Sequence, residues 1–597
     1  MNNYIPSVNE SINAKNTAVT ELCNTFINNE YYNQLASTSH TIMKGPRGSG
    51  KTTLMRMLEV RSLEFWDKDQ AVKFREIISF SGVFIPTDRV WKAQYESTSK
   101  RITSDSDLTI LRSQFVYHVI QQLAQSVSFR TCRVTEKKNN FRHVNITKSD
   151  ESELVSALSE LWVVKPRINS FKSLIASIAL KKSEVSRYLN QAVIRSIIDD
   201  MPEVIELKID EVLDSSISII NTYLGEDGGK WAFLFDELEL APDEIVQPLI
   251  DSMRGGHQDV ILKLALSPYH KGVDLTNSPE SSMKNQDLSF IDLTELSEQE
   301  GTKFAKELCS NLFQKKAIFE PVEQCFESPS EIDIDKVFDS LSEKDTSFSD
   351  YLSRKGTLGA SYSESNDKQS QMRKVKFVAY LRDHITKGGG KLHSRRRAAD
   401  FYAGFDNICK ATEYNPRMLI GIMNQFIPTI KAKGFVSISE QISGLNNYFE
   451  SFRSLLSTIA VDYSDPRVNN IYDLVDIISS YFKDDIYNAK FTPEPKGILI
   501  VDHETPPDLR DAIGFALNAG AMISVKGSTS VSGEFCNESK MTCRLSYLFS
   551  HHYGLLLTKQ KSISLEKIMF EKKIRTSNLL LVDAYKTNEN SQLRMDF

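Results

Sequence analysis

The feature that most constrains this chain is the run Gly45-Pro46-Arg47-Gly48-Ser49-Gly50-Lys51-Thr52, which satisfies the pattern G-x-x-x-x-G-K-[ST]. Glycines at these spacings let backbone N–H groups turn inward around phosphate oxygens, and a following helix offers its N-terminus to the negative charge. Such a loop needs a buried strand before it and a helix after it. Both are expected: His40 to Lys44 reads as a short strand, and Leu54, Met57, Leu58 and Leu63 recur at helical spacing beyond the loop. The alternative is a chance match in a glycine-containing loop. On the functional reading the whole run cradles a triphosphate. Lys51 then reaches the β- and γ-phosphates, the Thr52 hydroxyl ligates magnesium, and Thr53 is placed for a further phosphate contact.

A loop of this kind works with a carboxylate on a neighbouring strand. Trp231-Ala232-Phe233-Leu234-Phe235 is a buried-strand run that ends in Asp236-Glu237, so it carries an acid to the carboxyl edge of a sheet. Asp236 is expected to hold magnesium through water, and Glu237 to orient and polarise an attacking water. Glu239 is a weaker substitute for Glu237. A surface Asp-Glu pair opening a helix is the plainer alternative. The 185 residues that separate Lys51 from Asp236 require the helical block near 131–225 to be an insertion.

Three further residues complete the candidate site. Ser267, at the tip of the strand-like VILKLALS, either holds the attacking water or γ-phosphate or is an ordinary cap. Asn415-Pro416-Arg417 opens a helix, and Pro at the first helical position sets a guanidinium near that N-terminus. A cation gains nothing from the local dipole, so an anion nearby would explain Arg417; a surface arginine is the alternative. Arg254 ends the helix after Asp236, either as a finger reaching a neighbouring subunit's nucleotide or as a cation complementing the helix C-terminus.

At 597 residues the chain exceeds one core, so two to four domains are expected. A second strand is expected at Val83 to Ile85, stopped by Pro86, and others at Val260 to Ser267 and Leu288 to Leu296. Residues 107–127 read as an amphipathic helix with Leu111, Phe115, Val119 and Leu123 on one face. Apolar strands alternating with helices indicate an α/β fold with a parallel, doubly wound sheet. Ser297 and Glu300 form a capping-box signature, opening a helix with Phe304, Leu308 and Leu312 on its apolar side. The Ser- and acid-rich stretch 326–372 reads as a loose insertion. The last 130 or so residues are expected to mix helices (Tyr472 to Phe482, Pro507 to Asn518) with strands (Gly497 to Val501, Ala521 to Val525, Gly554 to Thr558).

Composition narrows the classes. A net formal charge of −6 gives no general attraction to nucleic acid, so any such contact must be a local patch. The basic cluster Lys387, Lys391, His393, Arg395, Arg396, Arg397 around Gly388-Gly389-Gly390 either grips a nucleic-acid backbone or acidic partner or is a solvated loop; a weaker cluster includes Arg130, Arg133, Lys137, Lys138 and Arg142. Seven cysteines without a C-x-x-C pair suggest reduced structural thiols and no zinc site. The opening MNNYIPSVNESINAK lacks a secretory pattern and no apolar run approaches membrane-spanning length, so a cytoplasmic protein with no membrane contact is expected.

The KGPRGSGKTTLMRML loop, the acidic strand, the polar strand tip and YNPRMLIGIMN, in this order, resemble the AAA+ ATPases. The closest likeness is to their origin-recognition and initiator-like clade, and CRLSYLFSHHYGLLL is similar to its C-terminal module. The resemblance implies an ATPase core with a helical insertion over 1–296, a helical lid over 297–430 and a winged-helix-like α+β domain over 431–597. It implies ATP and Mg²⁺ as cofactors, with Lys51, Asp236, Glu237, Ser267 and Arg417 binding and hydrolysing ATP. It also implies a homo-oligomer with a protein partner or effector, and antiphage defence by analogy alone. No arginine between Ser267 and Leu288 supplies the expected trans-acting finger. The candidate recognition helix PDLRDAIGFALN sets one Arg against two Asp, which suits a protein contact better than a DNA groove. Three readings follow: an ATP-driven motor or switch, a nucleotide-gated scaffold with little turnover, and a DNA-remodelling initiator.

Overall fold

A computed structural model describes residue 14 and residues 17–87, 105–132, 139–195, 207–253, 258–270, 288–294, 297–356, 366–386, 399–525 and 541–571. The chain divides into two compact units, one formed by Met1–Leu293 and the other by Thr294–Val531 with Phe535–Phe597. No helix among the described residues is long and apolar enough to cross a membrane.

The first unit is built on five strands: β1 (His40–Lys44), β2 (Phe80–Pro86), β3 (Lys230–Asp236), β4 (Val260–Leu266) and β5 (Leu288–Asp292). Their order is β2-β3-β4-β1-β5 and every neighbouring pair is parallel, as the alternation of apolar strands with helices predicts. Because all five run one way, the segments leaving β1, β3 and β4 emerge along one edge. The inner strands β3 and β4 are buried almost throughout, hence their unbroken apolar runs.

β2 is longer than expected and includes Pro86, which is tolerated because β2 lies at the sheet edge. Its outer side is covered in part by Glu59, which forms a parallel bridge to Gly82. A Cβ at Gly82 would lie 2.1 Å from the Leu58 carbonyl oxygen, so only glycine admits this approach. The same approach breaks the helix expected to run on through Leu63. It stops at Met57 and a second helix runs Val60–Phe65.

The helix Asp105–Thr131 packs on β2 and on the helix Phe171–Arg195. Being covered from two sides, it is buried at every residue from Ser113 to Ile120, so it is not the one-faced helix its pattern suggested. The expected helical block is present as Lys148–Leu161, Phe171–Arg195 and Ile209–Leu224. Arg130, near the end of the helix Asp105–Thr131, has a fully buried guanidinium that pairs with Glu226, just past the block, and lies 4.8 Å from the Trp231 ring centroid on β3. Lys263, in the middle of β4, is fully buried, and burial lowers its ammonium to about 7. It donates to the Ser37 and Ser39 carbonyls (2.9 and 3.1 Å) and the Thr41 hydroxyl (3.2 Å), tying down the approach to β1.

The second unit opens with the expected capping box of Ser297 and Glu300 on the helix Glu298–Lys315. Its buried face is Gly301, Ala305, Cys309 and Phe313, one position on from the expected stripe. Phe304, Leu308 and Leu312 are only half-buried. The stretch read as a loose insertion instead holds helices Ile334–Lys344 and Thr346–Arg354, which bury Phe338, Leu341, Phe348 and Leu352. Its acids and serines serve as caps and ion-pair partners. Asp345 accepts from Ser347 N and Phe348 N, and it pairs at 2.6 Å with Arg382, which also donates to the Ile486 carbonyl (3.0 Å).

A four-stranded sheet near the C-terminus comprises β6 (Lys496–Val501), β7 (Met522–Ser524), β8 (Met541–Leu545) and β9 (Lys561–Ser564) in the order β7-β8-β6-β9. β8 is antiparallel to both neighbours and β9 is parallel to β6. The strand expected at Gly554 to Thr558 is absent. Gly554 (φ +76°) ends the helical turn Ser550–Tyr553, and Leu555, Leu556 and Leu557 are buried in coil.

Candidate nucleotide-binding site

Gly45 leaves β1 directly, and its N–H donates to the Leu266 carbonyl at the end of β4 (3.2 Å). A Cβ at Gly45 would meet Ser49 Oγ at 2.4 Å and Leu293 at 3.1 Å, so a side chain here would displace the Ser49 hydroxyl and crowd Leu293. Gly48 and Gly50 are required by backbone conformation, with φ of +87° and +96°. Ser49 N closes a tight turn on the Pro46 carbonyl (3.2 Å). Arg47 is exposed, Pro46 is buried, and Gly48, Ser49, Gly50, Thr52 and Thr53 are half-buried. Gly50 precedes the helix Lys51–Met57 without any side chain capping it.

Lys51 is buried, and its ammonium folds back on the loop, donating to the Gly45 (2.5 Å) and Pro46 (3.3 Å) carbonyls. Asp236, last residue of β3, is fully buried. Burial pushes its carboxyl up to about 6; the Glu239 and Glu237 carboxylates act in the same direction, while the Thr52 hydroxyl and Lys51 ammonium oppose it. Thr52 therefore lies beside Asp236, yet neither carboxylate oxygen completes a hydrogen bond of ordinary geometry. Ser49 Oγ and Glu239 Oε2 are likewise buried without a hydrogen-bond partner.

Such orphaned oxygens are what a hard cation and a polyanion would satisfy. Magnesium is commonly held by one or two carboxylates plus substrate phosphates, so a single buried acid beside a hydroxyl fits it.

Beyond the strand, Glu237 adopts φ +54°, ψ +37°, a left-handed conformation that a non-glycine residue holds only when its surroundings impose it. Thr87, just after β2, provides one constraint. Its N–H and hydroxyl both donate to the Asp236 carbonyl, at 3.1 and 2.6 Å. Sequence reasoning missed Thr87, because nothing in FIPT distinguishes a threonine that latches a strand tip from one in a turn. Ser267 is buried immediately after β4, which lies between β3 and β1. The sheet thus brings Lys51, Thr52, Asp236, Glu237 and Ser267 to one edge.

Arg417 belongs to the second unit. It is the second residue of the helix Pro416–Lys433, whose N-cap Asn415 accepts from Arg417 N (3.0 Å) and Met418 N (3.3 Å). Its charge is felt by the half-buried Tyr448 phenol. Arg254 and the cluster of Lys387, Lys391, Arg395, Arg396 and Arg397 lie outside the described residues. The helix Pro507–Ala519 buries Leu509, Ala512, Ile513, Ala516 and Leu517.

A protein-family model described as ORC-CDC6-like matches residues 7–565. No curated protein and no solved structure matches the chain.

Proposed function

The chain belongs to the ORC-CDC6-like family of AAA+ ATPases, and from that premise we propose that it binds and hydrolyses Mg·ATP at the loop following β1. The observation that carries this reading is Asp236, fully buried with unsatisfied carboxylate oxygens beside Thr52 and Lys51. A structural acid would be paired or replaced, since an unpaired buried carboxylate is costly. The loop amides bind phosphate oxygens, and the Lys51 ammonium exchanges the Gly45 and Pro46 carbonyls for the β- and γ-phosphates. Magnesium, held by Thr52 and Asp236 with the nucleotide, supplies neutralisation of the phosphate charge. Glu237 orients the attacking water and accepts its proton, Ser267 holds the water or γ-phosphate, and Arg417 is the phosphate-sensing arginine.

The cycle drives assembly of subunits or recruitment of a protein effector, the finer setting being an antiphage system. DNA is the alternative partner, through the cluster at Lys387–Arg397. Calorimetry and steady-state hydrolysis test the core of the reading. Wild type binds Mg·ATP and Lys51→Ala does not. Glu237→Gln binds but turns over about 100-fold more slowly or worse, and accumulates as the ATP-bound assembly in light scattering. Absence of binding by wild type would end the reading; unchanged turnover in Glu237→Gln would remove Glu237 from it.

A further inference from the structure

The carboxyl end of β2 is held from outside the sheet by an imidazole. His118 lies in the buried middle of the helix Asp105–Thr131, and its Nε2 is 2.9 Å from the Pro86 carbonyl oxygen. Its Nδ1 is 3.0 Å from the Lys182 ammonium on the helix Phe171–Arg195. These two partners settle the tautomer. A carbonyl only accepts, so Nε2 carries the proton; an ammonium only donates, so Nδ1 is bare. The ring is therefore neutral, and it relays a hydrogen bond from the helical block to the strand tip. One turn earlier Gln114 Nε2 donates to Ser186 Oγ (2.8 Å), fastening the same two helices.

The relay does not stop at Pro86. The Pro86 carbonyl and the Thr87 N–H are the two ends of one planar peptide group. Thr87 N donates to the Asp236 carbonyl (3.1 Å), where the Thr87 hydroxyl joins it (2.6 Å). That carbonyl belongs in turn to the peptide group that enters Glu237. Lys182, His118, the Pro86–Thr87 peptide and the Asp236–Glu237 peptide thus form one line of donors and acceptors, each polarising the next. All of them belong to the first compact unit, and Pro86 is in register with Asp236 across the β2–β3 pair. The line ends where the backbone is strained, since Glu237 turns from this held peptide plane at φ +54°. The orientation of that plane decides where the Glu237 side chain leaves the strand.

Resting on the reading of Glu237 as the residue that activates water, we propose that Lys182 and His118 are positioning residues for hydrolysis. They hold the Asp236–Glu237 peptide through the Pro86–Thr87 peptide, and so aim the Glu237 carboxylate. The helical block that separates Lys51 from Asp236 in the chain thereby gains a role: its helix Phe171–Arg195 sets turnover. The line includes no residue of the loop Gly45–Thr52 and meets Asp236 only at its carbonyl. Affinity for Mg·ATP and the rate of its hydrolysis therefore come apart.

Hydrolysis rates and calorimetric Mg·ATP affinity in the full chain test this. Lys182→Met keeps the aliphatic stem of a half-buried residue and removes its donor. It should keep the wild-type melting profile and Mg·ATP affinity while kcat falls about three- to tenfold. His118→Leu should lower kcat about tenfold, and adding Lys182→Met should lower it no further. His118→Gln should stay within about twofold of wild type, because its amide nitrogen can donate to Pro86 while its oxygen accepts from Lys182. In the Glu237→Gln background, Lys182→Met should change the single-turnover rate less than about twofold, since no carboxylate is left to aim. Unchanged kcat in Lys182→Met, Gln as slow as Leu in place of His118, or a full loss of rate in the Glu237→Gln background would overturn the proposal. So would a fall in Mg·ATP affinity that matches the fall in kcat. Failure of wild type to bind Mg·ATP, or wild-type turnover in Glu237→Gln, would instead sink the parent reading.

Discussion

Replacing Asp236 by Asn should make the nucleotide-free protein more stable while disabling its site. A carboxyl held at about 6 instead of its ordinary 3.8 disfavours the folded state once both states are ionised. At about 1.4 kcal/mol per tenfold, the penalty is about 3 kcal/mol. The sign follows from proton counting. Below about pH 4 the acid is protonated folded and unfolded, and contributes nothing. Between about 4 and 6 the unfolded chain releases the proton and the folded chain keeps it, so stability falls as pH rises. Above 6 the whole penalty is present. Asn carries no charge and should recover it, making D236N about 3 kcal/mol more stable than wild type at pH 7.5 and equal to it near pH 4.

The assay is urea unfolding followed by tryptophan fluorescence. All four tryptophans (Trp66, Trp91, Trp162 and Trp231) fall within Met1–Leu293, so the signal reports the nucleotide-binding unit. With a slope of about 3 kcal/mol per molar, the midpoint should rise by about 1 M. Mg·ATP at a hundredfold excess over its dissociation constant should stabilise wild type by about 2.7 kcal/mol and D236N hardly at all, nearly closing the gap. A D236N midpoint at or below wild type at pH 7.5, or a gap that persists at pH 4, would refute the reasoning.

Gly45→Ala should fold but lose measurable Mg·ATP binding by calorimetry, since its methyl would occupy the space of Ser49 Oγ. Glu237→Gly should melt as though stabilised by about 1 kcal/mol, because glycine accepts φ +54° freely, while phosphate release falls to background. Asp345→Ala leaves the Arg382 guanidinium buried and unpaired and should destabilise the second unit by about 3–5 kcal/mol; limited proteolysis should then cleave within Ile334–Arg354 first.

The carboxyl edge was legible because its requirements are local. Strand β1 begins and ends where the pattern predicts, β3 and β4 do so to within a residue, and the Ser297–Glu300 box caps the expected helix. What misled was composition taken as a proxy for order. Serines and acids at 326–372 lower mean hydropathy, but Phe338, Leu341, Phe348 and Leu352 recur at helical spacing and suffice for a core once Asp345 caps a helix. Other features depended on contacts distant in sequence. The helix break at Leu58 is made by Gly82, the burial of Lys263 by carbonyls before β1, and the Thr87 latch by Asp236. None of these leaves a periodic trace.

What distinguishes the site is the kind of rule it breaks. Three other buried charges among the described residues are matched: Lys263 has three acceptors, Arg382 has Asp345 and the Ile486 carbonyl, and Arg544 has the Glu413 carboxylate. These groups hold elements together and ask nothing of solvent or ligand. At the end of β3 the pattern reverses, with an acid in the most buried position available, oxygens left open, and a strained backbone immediately after it. A fold selected for stability alone would discard such an arrangement, because a neutral side chain of the same shape avoids the penalty. Its retention makes sense if the missing partner arrives with a ligand, so the stability lost by the empty protein and the affinity gained for Mg·ATP should have one origin at Asp236.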